Sequence, residues 1–446
     1  MEAEQKIYEK LCDVPLMDIH THIDALHISA RNIADIMLYH MVISELYSAG
    51  CLDGMRLSEE PHDSEISYRI ERALPYYQYI ENTSCYWAMQ LILKNLYSWN
   101  KPVTKDNWRE LDSIIREKAS NNWGKTILQK AKIKRVCTEL WRGHQQKTSD
   151  VFQYSLEWAF FSRCQWGQFD TALLELENAW NQEKPGAPLP VNLERSQLNF
   201  SKTIKTIDDV DAAIKHYCER IPYHEIISIA AHFSTDITYK DVTRDEMIKA
   251  LSNREKAGVW ERDVYANYIT NIYFEELERK KTKVILQFSI GAEPLPFETG
   301  SKLKTDTIFE LAKLFSKYKS LKFSLFLSNA SQNQALCTLA RELPNLSLAG
   351  YWWHNFFPQT IRKIMTERLD MLPCNKQFGF FSDAYCADWA YAKAIIIRKQ
   401  LAEVLSKKIK QEQYSEEQAV EIACKILYKT AVEELGMSEH ERSKNY

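Results

Sequence analysis

Two histidines spaced by one residue follow an apolar run near the start of the chain. The stretch LMDIHTHID covers residues 16–24 and contains His20 and His22. Successive side chains of a β-strand alternate between its faces, so both imidazoles are expected to point the same way. Two imidazoles on one face suit a divalent metal ion, but an isolated pair is equally typical of one core histidine and one loop histidine. The rest of the chain has to decide between these two interpretations.

Eight short apolar runs separated by helical patterns predict the elements that position these histidines. Continuous apolar runs are typical of strands in a parallel sheet that helices cover. The predicted strands are residues 16–22, 133–139, 188–194, 225–232, 283–291, 321–328, 346–353 and 378–384. Helical spacing lies between most of them, and 206–221 opens with a threonine suited to cap a helix. A strand and a helix alternating eight times predict an α/β fold of the TIM (β/α)8 barrel type.

The connection between the first two predicted strands is much longer than the others. Residues 25–132 read as helices, and no Pro-, Gly- or Ser-rich linker separates them from the barrel. We therefore predict a single domain over residues 1–446, with a large helical insertion after strand one, at 25–132, over the barrel mouth. The insertion contains the aromatic stretches YYQY and CYW. The sequence leaves open whether these form core, a lid or a contact in a homo-oligomer.

Composition excludes several classes of function. A formal net charge of -3 gives no electrostatic basis for binding nucleic acid or an anionic membrane. No apolar run approaches the roughly 20 residues that span a bilayer. The 10 cysteines include no CxxC pair and the segment MEAEQKIYEK has no secretory pattern, so we expect free thiols in a cytoplasmic setting. No GxGxxG or Walker A loop is present, which disfavours a nucleotide-binding fold.

Polar residues collect at the predicted carboxyl ends of the strands, where TIM barrels carry their active sites. Strand one supplies His20 and His22, and Asp383 closes strand eight. The first and last strands of a closed barrel are neighbours, so these three side chains predict a metal site. The other polar residues at these ends are Glu139, Trp141, Arg142, His144, Glu194, Arg195, His232, Gln287, Ser289, Ser328, Asn329, Trp353, His354 and Asn355. Each alone could be a helix cap, an ion pair or a core hydrogen bond, but the joint pattern favours metal chemistry.

Six stretches of the chain resemble the uronate isomerase family of the amidohydrolase superfamily, as in a divergent member. They are DIHTHI, DIMLYHM, QFSIGA, FLSNASQNQAL, AGYWWHNF and GFFSDAY, in matching order and spacing along nearly the whole chain. The resemblance implies one divalent metal ion, usually zinc, held by His20, His22 and Asp383. Manganese, cobalt and iron are also compatible with these ligands. It further implies an aldose–ketose isomerase that acts on a uronate such as glucuronate and transfers a proton between C2 and C1.

The resemblance also implies roles for residues around the metal. Asp383 would shuttle the proton, and His40 would lean over the site from the insertion. The expected substrate-binding residues are Arg195, His232, Ser289, Trp353, His354 and Tyr385. Among these, Arg195 corresponds to a strand-three arginine whose guanidinium would grip the carboxylate of the substrate.

Three positions depart from the pattern of the family. Ser289 replaces a histidine of strand five, and Met41 occupies the position of a proton-donating tyrosine. Tyr385 lies near the position of a substrate-binding arginine. Lys393 or Arg398, on the helix that follows, is a candidate replacement for that arginine.

Three functions are therefore compared. The first is an isomerase of a sugar acid or of a related polar sugar. The second is a mononuclear metal-dependent hydrolase, which needs an activated water and a base but no insertion tyrosine. A binuclear hydrolase is disfavoured because the end of strand four carries His232 and no lysine. The third is a barrel that binds a ligand without catalysis, against which the retained metal-binding residues argue.

Overall fold

Eight parallel strands form one curled sheet in the order of the chain. The computed structural model describes residues 2–51, 65–140, 151–157, 169–183, 185, 189, 197–233, 238–290, 306–351 and 356–437. The strands are β1 Leu16–Asp18, β2 Ile133–Glu139, β3 Phe152–Glu157, β4 Ser228–Phe233, β5 Ile285–Ile290, β6 Lys322–Leu327, β7 Leu346–Ala349 and β8 Gln377–Phe378. Every neighbouring pair is parallel, from β1–β2 to β7–β8. The predicted TIM-type α/β barrel is therefore confirmed.

Helices occupy most of the remaining described chain. The α-helices are Glu2–Asp13, Ala34–Met37, His40–Ser48, Ile66–Ala73, Ser84–Tyr97, Trp108–Lys118, Asn121–Lys130, Phe169–Asn181, Ile207–Arg220, Arg244–Ser252, Val259–Lys280, Thr307–Lys317, Asn333–Glu342, Pro358–Met371, Ala387–Lys410, Glu416–Cys424 and Thr430–Glu434. Six of these lie between β1 and β2, where the sequence predicts the helical insertion. Within the described residues, no helix is long and apolar enough to cross a membrane.

Side-chain caps explain where several helices begin. The Thr206 hydroxyl accepts a hydrogen bond from the backbone N–H of Asp209, and the Asp209 carboxylate accepts one from the backbone N–H of Thr206. The helix Ile207–Arg220 therefore opens with a capping box, as its threonine predicts. Thr243 and Glu246 form the same arrangement before Arg244–Ser252.

The third strand does not lie where the sequence predicts it. Phe152–Glu157 forms β3 and pairs with β2 and β4. Its sequence, FQYSLE, alternates polar and apolar residues, so it lacks the continuous apolar run that guided the prediction. The assignment of strand three to residues 188–194 was therefore wrong; of these residues only Leu189 is described, and it lies outside any strand. The placement of Arg195 at the end of strand three fails with it.

The other predicted strands coincide with observed strands or overlap them, but β1, β7 and β8 are shorter than predicted. Beyond β1 and β8 the chain continues without ladder pairing, and the two edges of the sheet meet there. The backbone N–H of Asp383 donates to the carbonyl oxygen of His20 at 3.0 Å, and that of His22 donates to Ala384 at 2.9 Å. These hydrogen bonds bring the residues that follow β1 and β8 together.

A helical segment near the end of the described chain packs against the strands, and its Glu434 pairs with Lys322, the first residue of β6, at 2.7 Å. Leu435 and Met437 pack into the same buried cluster as Met17 and Ile285. The backbone N–H of Gly379 donates to the carbonyl of Ile426 at 2.7 Å, and a side chain at Gly379 would come within 3.0 Å of that oxygen. The opposite, carboxyl ends of the strands are where barrels of this type carry their active sites.

Candidate metal centre

His20, His22 and Asp383 lie together beyond the carboxyl ends of β1 and β8. Each offers one ligand atom, and these atoms all lie within 4.8 Å of one another. Oδ1 of Asp383 is 3.1 Å from Nε2 of His22 and 3.5 Å from Nε2 of His20. The two imidazole rings are nearly perpendicular, with centroids 5.1 Å apart. The structure thus brings together the three side chains that the sequence predicts as metal ligands.

Glu139, the last residue of β2, holds His22 from the opposite side. Its Oε1 lies 2.5 Å from Nδ1 of His22, and the glutamate is buried. The contact orients the ring so that Nε2 faces Asp383. A histidine that binds a metal usually donates its other ring nitrogen to such a carboxylate. The sequence places Glu139 at a strand end but assigns it no role; its signal was an acid closing the strand next to the HxH motif.

Opposite charges dominate this cluster. Burial lowers the pKa of His22, but Glu139 and Asp383 outweigh burial and raise that pKa to about 10. Burial raises the pKa of Asp383, but hydrogen bonds with His20 and His22 hold it well below its usual range. Asp383 is therefore ionised at neutral pH, as a metal ligand must be. Two ring nitrogens and one ionised carboxylate, with a second carboxylate behind, fit a divalent cation.

Two further candidate residues lie beside the cluster. The ring of Tyr385 stacks on His22 with centroids 4.8 Å apart and an interplanar angle of 30°. His40 begins the helix His40–Ser48, and its ring lies edge-to-face with Tyr385 at 5.8 Å. Both side chains are partly exposed. Met41, which follows His40, packs against the hydrophobic core.

The remaining predicted substrate-binding residues are described in part. The Ser289 hydroxyl, at the end of β5, donates to the carbonyl oxygen of Ala231 at 3.4 Å. His232 pairs with Ser289 in the β4–β5 ladder, but its side chain lies outside the described part of the structure. Residues outside the described ranges are Trp141, Arg142, His144, Glu194, Arg195, Trp353, His354 and Asn355. Their roles stay predictions.

Lys393 and Arg398 do not take the place of a substrate-binding arginine. The ammonium of Lys393 is buried and donates to the Tyr39 hydroxyl at 2.8 Å and to the Ser382 carbonyl. Arg398 donates to the carbonyls of Val14 and Ala131 at 2.8 and 2.9 Å. Val14 precedes β1 and Ala131 precedes β2, so Arg398 lies at the opposite end of the barrel from the cluster. The proposed compensation was therefore wrong.

In the part of the chain that the structure describes, a TIM-type barrel carries a cluster of possible metal ligands, His20, His22 and Asp383, at the carboxyl ends of its strands. Neither a protein-family model nor a curated protein sequence matches the chain.

Solved structures do match. The chain is similar to a uronate isomerase from Thermotoga maritima, with 13% identity, a TM-score of 0.78 and 97% of each chain covered. It is similar to a glucuronate isomerase from Caulobacter crescentus, with 11% identity, a TM-score of 0.77, and 98% of this chain and 94% of the other covered. A Lactobacillus casei ATCC 334 protein provisionally assigned as a metal-dependent hydrolase matches with 12% identity, a TM-score of 0.57 and 99% of each chain covered. The chain therefore has the fold of uronate isomerases, and the resemblance that its motifs indicate is confirmed at the level of the fold.

Proposed function

We propose that the chain is a metal-dependent aldose–ketose isomerase that acts on a uronate or a related polar sugar. The observation that carries the proposal is the His20, His22 and Asp383 cluster, at the carboxyl ends of a barrel with the fold of uronate isomerases. The substrate class comes from those structural neighbours and from the motifs of the sequence.

His20, His22 and Asp383 would hold one divalent metal ion. A bound ion supplies Lewis acidity that polarises a carbonyl or hydroxyl oxygen of the substrate. Zinc, manganese, cobalt and iron all accept two imidazoles and one carboxylate. Glu139 orients the His22 ring and increases its basicity from behind.

Side chains in and beside this cluster would carry out the proton transfers of the reaction. Conversion of an aldose to a ketose removes one proton from C2 and one from O2, and adds one to C1 and one to O1, so no oxidant is needed. Asp383 is ionised, which is the state required of a base that accepts the C2 proton. His40, at the edge of the Tyr385 ring, is our candidate for exchanging the proton between the two oxygens.

The proposed substrate contacts are the residues predicted from the sequence. Tyr385 lies flat against His22, so it would form the wall next to the reacting carbons. Ser289, near the end of β5, would supply a polar contact to the substrate. Arg195 would pair with the substrate carboxylate, and the other proposed contacts are His232, Trp353 and His354.

A mononuclear metal-dependent hydrolase is the second candidate. It is favoured by the similarity to the Lactobacillus casei protein and by Met41, which occupies the position of a tyrosine in the isomerases. Hydrolysis needs a carboxylate base and a water molecule, and Asp383 would serve as that base. The two candidates differ in one measurable property: only isomerisation brings solvent hydrogen onto a carbon atom of the product.

The test combines metal analysis with isotope exchange on one purified sample. We expect about one divalent metal ion per chain and, in D2O with a panel of aldouronates, deuterium at C1 of the ketose product. Asp383→Asn should lose both the metal and the exchange. The control Asp241→Asn changes an exposed aspartate paired with Lys317 on the outside of the barrel, and it should keep both. Metal without exchange on any uronate would favour the hydrolase, and absence of metal from the wild type would overturn the site.

A further inference from the structure

Asp383 has a backbone conformation that residues other than glycine rarely adopt. Its φ angle is +54°, in the left-handed region. Aspartate tolerates this region better than most residues, but the conformation still persists only where neighbouring groups enforce it. Because the carboxylate of Asp383 faces His20 and His22, this backbone conformation determines whether the cluster exists.

One set of contacts holds this backbone from the side of β1. The backbone N–H of Ser382 donates to Oδ1 of Asp18 at 2.8 Å. The backbone N–H of Asp383 donates to the carbonyl of His20 at 3.0 Å. These bonds fix the N–H groups of the segment, but they leave its carbonyl oxygens to other partners.

A second set of contacts holds those carbonyl oxygens. The ammonium of Lys393 donates to the carbonyl of Ser382, and the hydroxyl of Tyr39 donates to the carbonyl of Asp383 at 2.7 Å. Lys393 also donates to the Tyr39 hydroxyl at 2.8 Å, so the two side chains form one chain of hydrogen bonds. The carbonyls on both sides of the Asp383 Cα atom are thus held by groups from elsewhere in the fold.

Lys393 is buried, and its ammonium group makes these contacts inside the protein. It is 2% exposed, and its Nζ lies 5.0 Å from the ring centroid of Tyr39 and 4.5 Å from that of Phe356. Tyr39 is 1% exposed and its ring stacks on Trp389 with centroids 4.4 Å apart. A buried ammonium is expensive to desolvate and is retained only where it forms bonds of this kind. Because both side chains are almost completely buried, we assign them a positioning role and not a catalytic one.

We propose that Lys393 and Tyr39 are positioning residues that hold the backbone of Asp383 in its left-handed conformation and thereby set the affinity of the metal centre. The proposal rests on the proposed function insofar as it assumes that Asp383 binds a metal ion. Without Lys393, the Ser382 carbonyl loses a charged donor and Tyr39 loses the group that orients its hydroxyl. The segment is then free to leave the left-handed region, which carries the carboxylate away from the two histidines.

The same helix, Ala387–Lys410, supplies a matched control. Arg398 is also buried and also donates to two backbone carbonyls, those of Val14 and Ala131, but at the opposite end of the barrel. Tyr97 matches Tyr39, because it is a buried tyrosine whose hydroxyl donates to Asp388 of this helix at 2.7 Å. Each control removes a comparable structural bond without touching Asp383.

The experiment measures the affinity of chelator-treated protein for Mn²⁺ and for Co²⁺, whose absorption spectrum reports the ligand geometry. Loss of a group that orients a metal ligand typically weakens metal affinity about 10- to 100-fold. We expect a loss of this size for Lys393→Met and a smaller loss, with an altered Co²⁺ spectrum, for Tyr39→Phe. Arg398→Met and Tyr97→Phe should lower the urea midpoint of unfolding but leave the affinity within about twofold of wild type. Equal losses in the controls, or unchanged affinity in both test variants, would overturn the proposal.

The outcomes separate this proposal from the proposed function. If the wild type binds no metal ion, the proposed metal centre fails, and the crystal structure of metal-free Tyr39→Phe then decides the positioning role. Movement of Asp383 out of the left-handed region would support that role, and an unchanged φ angle would overturn it. Tyr39→Phe also carries the test if Lys393→Met does not fold, because it removes a single oxygen atom.

Discussion

Replacing Glu139 by glutamine should change how the stability of the metal-free protein depends on pH. Burial lowers the pKa of His22, but Glu139 and Asp383 outweigh it and raise the pKa from 6.5 to about 10. A folded-state pKa above the unfolded value means that protonated His22 contributes stability that is fully present below pH 6.5. This contribution is lost as the pH rises through about 10. Stability of the wild type should therefore fall between these two pH values.

The size of the expected change in stability follows from the rise in the pKa of His22. A rise of about 3.5 pKa units corresponds to about 5 kcal/mol of differential interaction. Glu139 is the largest single cause of the rise, so removing its charge should lower this contribution by on the order of 2 kcal/mol. Glutamine has nearly the same size and can still accept a hydrogen bond from Nδ1 of His22, so the change is mainly one of charge.

The assay is urea unfolding of chelator-treated protein at several pH values between 6.5 and 10. For the wild type the free energy of unfolding should fall by up to about 1.4 kcal/mol per pH unit, and for Glu139→Gln the fall should end at a lower pH, so its total size should be smaller. Glu177→Gln is the control, because Glu177 is also buried but accepts a hydrogen bond from the backbone N–H of Ile204 at 2.7 Å. Titration of groups that do not interact with residue 139 affects all three proteins alike. An equal total fall between pH 6.5 and 10 in the wild type and Glu139→Gln would refute the assignment of the His22 pKa shift to Glu139.

Two further predictions concern the wall of the site and the covered end of the barrel. Tyr385→Leu removes the ring that stacks on His22 and should raise KM several-fold, whereas Tyr385→Phe keeps the ring and should leave KM near wild type in initial-rate measurements. At the other end, Leu435→Ala should lower the free energy of unfolding by about 2 kcal/mol or more because it empties a buried position. Lys322→Met, which breaks the half-exposed ion pair with Glu434 nearby, should cost less than about 1 kcal/mol by the same denaturation assay. A larger cost for Lys322→Met than for Leu435→Ala would contradict this ranking.

The barrel and the clustering of His20, His22 and Asp383 could be predicted because their signals are local. Apolar runs mark most strands, and closure of a barrel necessarily brings its first and last strands together. β3 was missed because FQYSLE interleaves polar residues with apolar ones, and its pairing with β2 and β4 is decided by distant chain segments. Strand periodicity alone does not contain that information.

The surroundings of Asp383 could not be predicted for the same reason. Lys393 lies in a long helix, where a lysine ordinarily reads as a solvated residue. Its hydroxyl partner, Tyr39, is 354 residues away in the sequence, and nothing near either residue indicates the contact. The sequence shows that Glu139 is an acidic residue at the end of a predicted strand. Its contact with His22, however, depends on the register of β1 against β2.

The hydrogen bond between His22 and Asp383 joins residues separated by 361 positions. Closing so long a loop has an entropic cost, and contacts between residues close in the sequence do not offset it. The three proposed metal-binding residues therefore come together only when both edges of the sheet are in place. In a partly folded barrel the two histidines would lack the carboxylate. A divalent ion that binds the proposed site would therefore stabilise the fully folded chain and not its partly folded states.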